Sequence, residues 1–317
     1  MALAISARAY KNLALGTLVY NLAVVAWGAL VRATGSGAGC GSHWPDCNGQ
    51  VVPTSPSLKT AIEFTHRVTS GIDTILAIAL IVLAFLSFPR GHGARRGATM
   101  FMIAMVLEAL AGAGLVLLGL VDTNASPLRA VAISIHQVLT LYLLFSLTLL
   151  VLWSRGDALE LKLRGQGSTG VLALLVLGSV PFLAISGAVA ALGDTLYPST
   201  SLAAGMHADF AAGSALLLKL RVFHPFIAIG VAALIFASMV GLARRGPRAR
   251  DAAYTAGILV LVQLGAGALN IALLAPTWMQ IVHLVLADLV WIALVRTAAL
   301  ALAGPEPELH GAPALAS

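Results

Sequence analysis

Eight apolar runs decide what this chain can fold into, because each is close to the roughly 20 residues that a helix needs to cross a bilayer. They fall near residues 13–31, 61–88, 97–120, 129–153, 169–192, 222–243, 252–274 and 277–301. Only 10% of the 317 residues are charged, against about 25% in a soluble domain, and the runs leave no room for one. The sequence therefore predicts an all-α integral membrane protein with eight transmembrane helices.

The distribution of basic residues predicts the orientation of these helices. Thirteen of the 19 Lys and Arg residues fall on one side, including the loops RGHGARR and ARRGPRAR, and six fall on the other. The positive-inside rule places the richer side in the cytoplasm. We therefore expect a multi-pass protein of the plasma membrane with both termini cytoplasmic and with loops 32–60 and 193–220 outside. The net charge of +6 reflects this topology and gives no support for nucleic-acid binding.

The two halves of the sequence resemble each other. WGALVRATG at the end of the first run matches ISGAVAALGD at the end of the fifth, and LEALAGAGLVLLG in the third matches LVQLGAGALNIAL in the seventh. The small residues in these segments suit close helix packing in lipid. A parallel repeat of four helices predicts two pseudo-symmetric four-helix bundles in residues 1–155 and 169–303. A cytoplasmic linker, 156–168, would join them, and residues 304–317 would form a cytoplasmic tail.

Four of the eight histidines fall on the even-numbered helices, one on each, near their outer ends. They are His66, His136, His224 and His283. Three of them lie seven residues beyond the predicted helix start, about 10 Å inside the membrane boundary, and His224 lies slightly closer to the surface. A lone membrane histidine is most often hydrogen-bonded to a neighbouring helix, but four at equivalent positions of a repeat indicate a shared role. A four-helix bundle with two facing histidines can hold a haem by two axial ligands. The repeat pairs His66 with His136 and His224 with His283, which predicts two haem sites.

Basic residues near the outer helix ends are candidates for binding the haem propionates, because guanidinium groups bind carboxylates through paired hydrogen bonds. The candidates are Arg32, Arg67, Arg129, Lys219 and Arg221. The alternative is that these residues anchor the helix ends among the lipid headgroups. No such residue flanks His283.

Only the first predicted site has a carboxylate beside its histidine. Glu63 lies three residues before His66 and therefore on the same helix face. A carboxylate at the edge of a haem can accept a proton or stabilise a cation, although it can also simply favour the helix start or pair with Arg67. The corresponding position before His224 is Arg221, so the asymmetry predicts a reactive first site and an electron-carrying second site. No role is assigned to the other intramembrane acids, Asp73, Glu108 and Asp288.

The only two cysteines, Cys40 and Cys47, fall in the outer loop CGSHWPDC. Thiols outside the cytoplasm tend to oxidise, which predicts a disulfide. The disulfide would either staple the loop or exchange with an external dithiol. A metal site formed with His43 is disfavoured because no fourth ligand is evident.

Four segments, in this order along the eight-helix repeat, carry a resemblance to a known family: GALVRATGSGAGCGSHWPDC, EFTHR, IHQVLTLYLL and VHLVLADLVWIALV. The sequence resembles the haem A synthase family, membrane enzymes that convert haem O to haem A for cytochrome oxidase, over nearly the whole chain. The resemblance implies an amino-terminal haem O site formed by Glu63, His66 and His136. It also implies a b-type haem held by His224 and His283.

The resemblance also bears on the partners of the protein. It implies that the Cys40–Cys47 pair matters in those members that possess it. An external quinone or thiol–disulfide partner would exchange electrons, and a haem O synthase would hand over the hydrophobic substrate. One departure from the family is visible at His224-Pro225, where the family often has His-Arg again.

Two other functions fit the same pattern. A b-type electron-transfer protein, such as a quinol oxidoreductase, would also use two haems, but such proteins usually place them near opposite membrane faces. A non-enzymatic haem exporter or chaperone would hold its haem loosely. A tryptophan-rich outer segment would favour that function, and the outer loops carry only Trp44 and, near the last one, Trp278.

Overall fold

The structure is a computed structural model that describes residues 5–154, 161 and 164–303. In this part of the chain the regular elements are ten helices. Their bounds are α1 Ala7–Ala33, α2 Leu58–Ser87, α3 Gly93–Leu117, α4 Pro127–Trp153, α5 Gly167–Leu196, α6 Leu202–Phe210, α7 Leu216–Arg221, α8 Phe223–Ala243, α9 Pro247–Ala272 and α10 Thr277–Leu302. The predicted tail and residues 156–160 and 162–163 of the predicted linker lie outside the described residues.

Eight helical spans of the described chain are long and apolar enough to cross a membrane, with α7 and α8 together forming one of them. The prediction of eight transmembrane helices is therefore confirmed. The helix starts follow local chemistry, since the side chains of Ser57 and Ser126 accept hydrogen bonds from the first free N–H groups of α2 and α4. Pro247 opens α9, where a missing N–H costs nothing. The sidedness deduced from the basic residues stays a prediction.

The sixth span begins earlier than the sequence predicted, at Leu216 instead of residue 222. The charges of Lys219 and Arg221 suggested a helix boundary, but both lie within α7. The helix breaks after Arg221 because Pro225 has no N–H to donate to its carbonyl. The earlier start places His224 eight residues inside its span. Its depth relative to the other three histidines stays a prediction.

The helices pack as two rings. In the first half, α1 contacts α2, α2 contacts α3, α3 contacts α4, and α4 returns to α1; in the second half, α5, α8, α9 and α10 follow the same order. The halves meet along α1 and α4 on one side and α5 and α10 on the other. Accordingly, α4 and α10 bury more than half of their spans, whereas the other six leave most of theirs exposed for lipid. This neighbour order suits two four-helix bundles, whose pseudo-symmetry stays a prediction.

A buried tryptophan ties the two halves together. The indole N–H of Trp291 on α10 donates a 2.7 Å hydrogen bond to the carbonyl oxygen of Leu141 on α4. The ring of Phe145, also on α4, lies 6.4 Å from that of Trp291, centroid to centroid. A buried indole needs a hydrogen-bond acceptor, and here the opposite half provides it.

Candidate functional site

Each of the four candidate histidines packs against a glycine on the membrane helix that precedes it in the same half. The pairs are Gly28 with His66, Gly112 with His136, Gly187 with His224 and Gly267 with His283. A Cβ atom added to the glycine would lie 3.0 or 3.1 Å from the ring in three pairs and 3.9 Å from it in the Gly112 pair. Three of the four rings therefore occupy space that a side chain would fill. The sequence had suggested only a helix-packing role for these glycines.

In the first half, His66 lies on α2 and His136 on α4, which stand opposite each other in the ring of four helices. The Nδ1 atom of His66 is buried without a hydrogen-bond partner. The Nδ1 atom of His136 lies 2.8 Å from a carboxylate oxygen of Glu108, although it is off the line of a straight hydrogen bond. The hydroxyl of Thr140 donates to the other oxygen of Glu108. The sequence had assigned Glu108 no role.

In the second half, His224 lies on α8 and His283 on α10, which likewise stand opposite each other in their ring. The Nδ1 atom of His224 lies 2.9 Å from the hydroxyl oxygen of Ser186. The Nε2 atom of His283 lies 3.4 Å from the amide nitrogen of Gln263, and its Nδ1 atom is buried without a partner. The side chains that contact these rings are neutral.

This donor set fits haem iron better than a bare metal ion. Each half supplies two imidazoles, and a neutral imidazole nitrogen is a common axial ligand of haem. The described residues contain no group of three or more His, Cys, Asp and Glu side chains that could hold an ion by themselves. The buried, unpartnered Nδ1 atoms of His66 and His283 are also the kind of group that a bound cofactor would explain.

Glu63 is buried, with 3% of its surface exposed, and both of its oxygens are held. One oxygen accepts a 2.8 Å hydrogen bond from the backbone N–H of Cys40, and the other accepts a 3.2 Å bond from Nε of Arg67. The pairing with Arg67, which the sequence offered as an alternative role for Glu63, is thus present. Arg67 also donates to the carbonyl oxygens of His43, at 2.7 Å, and Asp46. The guanidinium therefore joins the carboxylate to the outer loop.

The predicted disulfide between Cys40 and Cys47 is confirmed, and both residues are buried. The loop that it closes sits directly on the first turn of α2. A Cβ atom on Gly39 would lie 2.5 Å from the carbonyl oxygen of Lys59, so only glycine permits this approach. The hydroxyl of Thr60 donates a 2.8 Å hydrogen bond to the carbonyl oxygen of Gly39. The disulfide loop thus covers the part of α2 that carries Glu63.

Two of the basic candidates differ in their surroundings. Arg129 is 3% exposed and donates to the carbonyl oxygens of Asp122 and Asn124, at 2.6 and 2.7 Å. Its Nε atom is buried without a partner. Lys219 lies exposed on α7. The role of both residues in binding propionates stays a prediction.

Arg221 is held by two carboxylates of the outer region of the second half. Its guanidinium lies 3.0 Å from Asp194 at the end of α5 and 2.8 Å from Asp209 on α6. These contacts fasten α6 and α7 over the end of α5. Because the two acids lie 27 and 12 residues before Arg221, the local sequence did not predict these ion pairs. A propionate contact by Arg221 stays a prediction.

Arg32 reaches from the first half into the second. Its Nη1 atom donates to the carbonyl oxygen of Ala191, at 2.8 Å, and to the hydroxyl of Thr195, at 2.7 Å. Its Nη2 atom donates to the side chain of Gln280 at 3.0 Å. Gln280 lies three residues before His283, so Arg32 sits about one helical turn outside the second histidine pair. The sequence alone did not show that its guanidinium binds residues of the second half.

A family model described as cytochrome oxidase assembly protein, COX15-CtaA, matches residues 11–295. The chain belongs to this family. The match contains all four histidines, Glu63 and the cysteine pair, and with the eight apolar helices it shows a multi-pass integral membrane protein. The expected resemblance to haem A synthases is confirmed at the level of the family.

Individual relatives agree with the family match over different lengths. A protoheme IX farnesyltransferase of Thermus thermophilus is 46% identical over 289 residues, which cover 90% of this chain and 47% of the relative. A heme A synthase of Exiguobacterium sp. is 40% identical over 94 residues, 30% of this chain and 31% of the relative. One of Bacillus mycoides is 41% identical over 112 residues, 35% of this chain and 36% of the relative. The chain spans about half the length of the Thermus relative, and its match covers about a third of each synthase.

Proposed function

We propose that the protein is a haem A synthase, which oxidises a methyl group of haem O to a formyl group and so provides haem A for a terminal cytochrome oxidase. The observation that carries the proposal is the pair of imidazoles in each half, each ring seated against a helix glycine, in a chain of this family. The similarity to heme A synthases over about a third of the chain points the same way.

The proposed reaction needs an oxygen source and an electron acceptor. Conversion of a methyl group and one water molecule to a formyl group, by way of an alcohol, releases four protons and four electrons. A substrate iron with two histidine ligands would have to lose one before it could bind dioxygen, so water is the proposed source. Labelled dioxygen recovered in the first alcohol oxygen would contradict this. The electrons would leave through the second site to a quinone or a thiol–disulfide partner.

In the first half, His66 and His136 would hold the iron of the substrate, and Glu63 would act at its reacting edge as acid or base. The support for Glu63 is its burial and its position three residues before His66. The hydrogen bonds from the Cys40 N–H and from Arg67 fix the carboxylate in one place, which favours proton transfer at a defined atom. The disulfide loop would shield this edge from the outer aqueous phase.

In the second half, His224 and His283 would hold a b-type haem, which supplies one-electron transfer when bound. Ser186 and Gln263 would orient the two rings. The propionates of the two haems would be bound by basic residues at the outer helix ends, namely Arg32, Arg67, Arg129, Lys219 and Arg221. Of these, Arg32 is placed by its hydrogen bonds beside the second histidine pair.

The partners proposed for this protein follow from its substrate. Haem O is hydrophobic, and direct transfer from a haem O synthase would keep it out of water. One relative from Thermus bears the name protoheme IX farnesyltransferase, and this chain matches 47% of its length. This similarity supports a direct contact with an enzyme that makes haem O. The cysteine pair lies in the predicted outer loop, and because both residues are buried, an external thiol–disulfide partner would have to open this loop to reach it.

The proposal is tested by incubating the purified protein with haem O and an oxidised quinone as electron acceptor and analysing the extracted haems. We expect the alcohol and then haem A to form. Tightly bound haem in both halves without any product would indicate electron transfer alone, and haem lost during gel filtration would indicate a carrier. In Glu63→Gln we expect both haems to bind and product to fall by about 10²–10⁴-fold. Asp73→Asn, which removes a carboxylate from the same helix, serves as the matched control.

A further inference from the structure

The two halves carry a polar side chain at the same position relative to a histidine-packing glycine. Glu108 lies four residues before Gly112 on α3, and Gln263 lies four residues before Gly267 on α9. Each of these glycines faces the histidine of the helix that follows. The two segments, LEALAGAG and LVQLGAGA, belong to the repeat found in the sequence, and the glycine contacts shift their register by one residue. A carboxylate in the first half therefore corresponds to an amide in the second.

Glu108 is held against the ring of its histidine. Its carboxylate approaches Nδ1 of His136 to 2.8 Å, and its side chain is only 11% exposed. The Thr140 hydroxyl, one turn further along α4, fixes its other oxygen. In the second half, the Gln263 amide nitrogen lies 3.4 Å from Nε2 of His283, and Nδ1 of that ring has no partner. The second contact is therefore longer, uncharged and on the other ring nitrogen.

The chemical consequence of this difference concerns the strength of the imidazole as a ligand. A carboxylate that accepts the N–H of a metal-binding histidine makes the other ring nitrogen more basic and orients the ring. A more basic ligand stabilises Fe(III) more than Fe(II), which lowers the reduction potential of the haem. A neutral amide does this much less.

We propose that Glu108 is a positioning residue that strengthens His136 as an iron ligand and sets the haem of the first half at a lower potential than the haem of the second. The inference rests on the proposed function, because it requires a haem in each half. With haem in both halves, transfer of an electron from the first iron, which would be oxidised, to the second, which would be reduced, would then have a favourable free energy. The difference between Glu108 and Gln263 would thus set the direction of electron flow.

Potentiometric titration of the full-length protein loaded with haem in both halves, followed by visible spectroscopy, tests the inference. In Glu108→Gln we expect the ratio of Fe(III) to Fe(II) affinity at the first site to fall by about tenfold, the lower end of the effects of such outer ligands. That change is a rise of about 59 mV for one electron, with the second site unmoved. The reciprocal Gln263→Glu is expected to lower the potential of the second site only. Unchanged potentials in both variants would overturn the inference and leave Glu108 and His136 as a structural ion pair.

A third variant keeps the test independent of the folding of Glu108→Gln. Thr140→Val removes the hydroxyl that fixes the other oxygen of Glu108, so the carboxylate should be held less firmly beside His136 and the potential of the first site should rise. No shift, or a fall, would count against the inference. Wild-type protein that binds no haem would overturn the proposed function, whereas wild-type protein with two haems and unmoved potentials in the variants would overturn only this inference.

Discussion

The two halves of the protein seat their histidines against glycines in the same manner and differ in what else touches the rings. The first half places a carboxylate, Glu108, beside His136 and buries another, Glu63, one turn from His66. The second half offers a hydroxyl and an amide, Ser186 and Gln263. Under the proposed function, this shared scaffold would bind haem in both halves, and the difference in charge would distinguish a reactive site from a site that only carries electrons.

The largest expected effect comes from loss of a histidine, which tests whether the two halves bind haem independently. Substitution of one histidine by alanine should remove haem from its own half and spare the other. The loss of affinity should exceed the roughly 10–100-fold that accompanies changes to residues behind a metal ligand. Haem content per protein and the visible spectra of His66→Ala and His283→Ala measure this. Loss of both haems from either single variant would show that the two halves do not bind independently.

The glycines provide the next test, with a control built into the chain. In Gly28→Ala the new methyl group would lie 3.0 Å from the His66 ring, whereas in Gly112→Ala it would lie 3.9 Å from the His136 ring, an ordinary contact. Overpacking costs about 1–3 kcal/mol, so the first change should weaken haem binding in the first half by about tenfold and the second should not. Haem titration of the apoprotein measures both. Equal haem affinities of the two variants would mean that the imidazole of His66 can shift to accommodate the added methyl group.

The disulfide should affect only the first half. The Cys40→Ser, Cys47→Ser double variant should lower the free energy of unfolding by about 2 kcal/mol. It should also slow product formation, because the loop without its crosslink would hold the backbone N–H of residue 40 less firmly against Glu63. Thermal unfolding and the extracted haems measure the two effects. A matching change in the spectrum of the second-half haem would contradict the separation of the halves.

The smallest expected effect concerns the contact between the halves. Arg32→Lys keeps the charge but cannot make all three hydrogen bonds to Ala191, Thr195 and Gln280. Each bond contributes about 1 kcal/mol, so a drop of about 1–2 kcal/mol in unfolding free energy and a small spectral change in the second-half haem are expected. Arg8→Gln, at the exposed opposite end of the same helix, is the control. A change confined to the first-half haem would contradict this assignment.

The sequence predicted the features that depend on composition and periodicity. The length and hydropathy of the apolar runs predicted the eight spans. One histidine near the outer end of each even-numbered span indicated a common role for the four histidines. The start of the sixth span could not be predicted, because the charge of Arg221 is compensated by Asp194 and Asp209, which only the folded chain brings together.

The side chains that contact the site residues also could not be predicted from the sequence. Glu108 is 28 residues before His136, and helix packing decides which acid meets which ring. The reach of Arg32 into the other half is likewise a tertiary contact. The sequence repeat placed Glu108 and Gln263 in matching segments, but only the contacts of Gly112 and Gly267 with the histidines show that the two side chains correspond.

The crossing guanidinium of Arg32 has a mechanical consequence. Because it is anchored on both α5 and α10, one half cannot slide along the other without breaking several hydrogen bonds at once. For two irons bound as proposed, the gap across which an electron must jump is then fixed by the protein, and lipids of different thickness that tilt the outer helices would leave it unchanged.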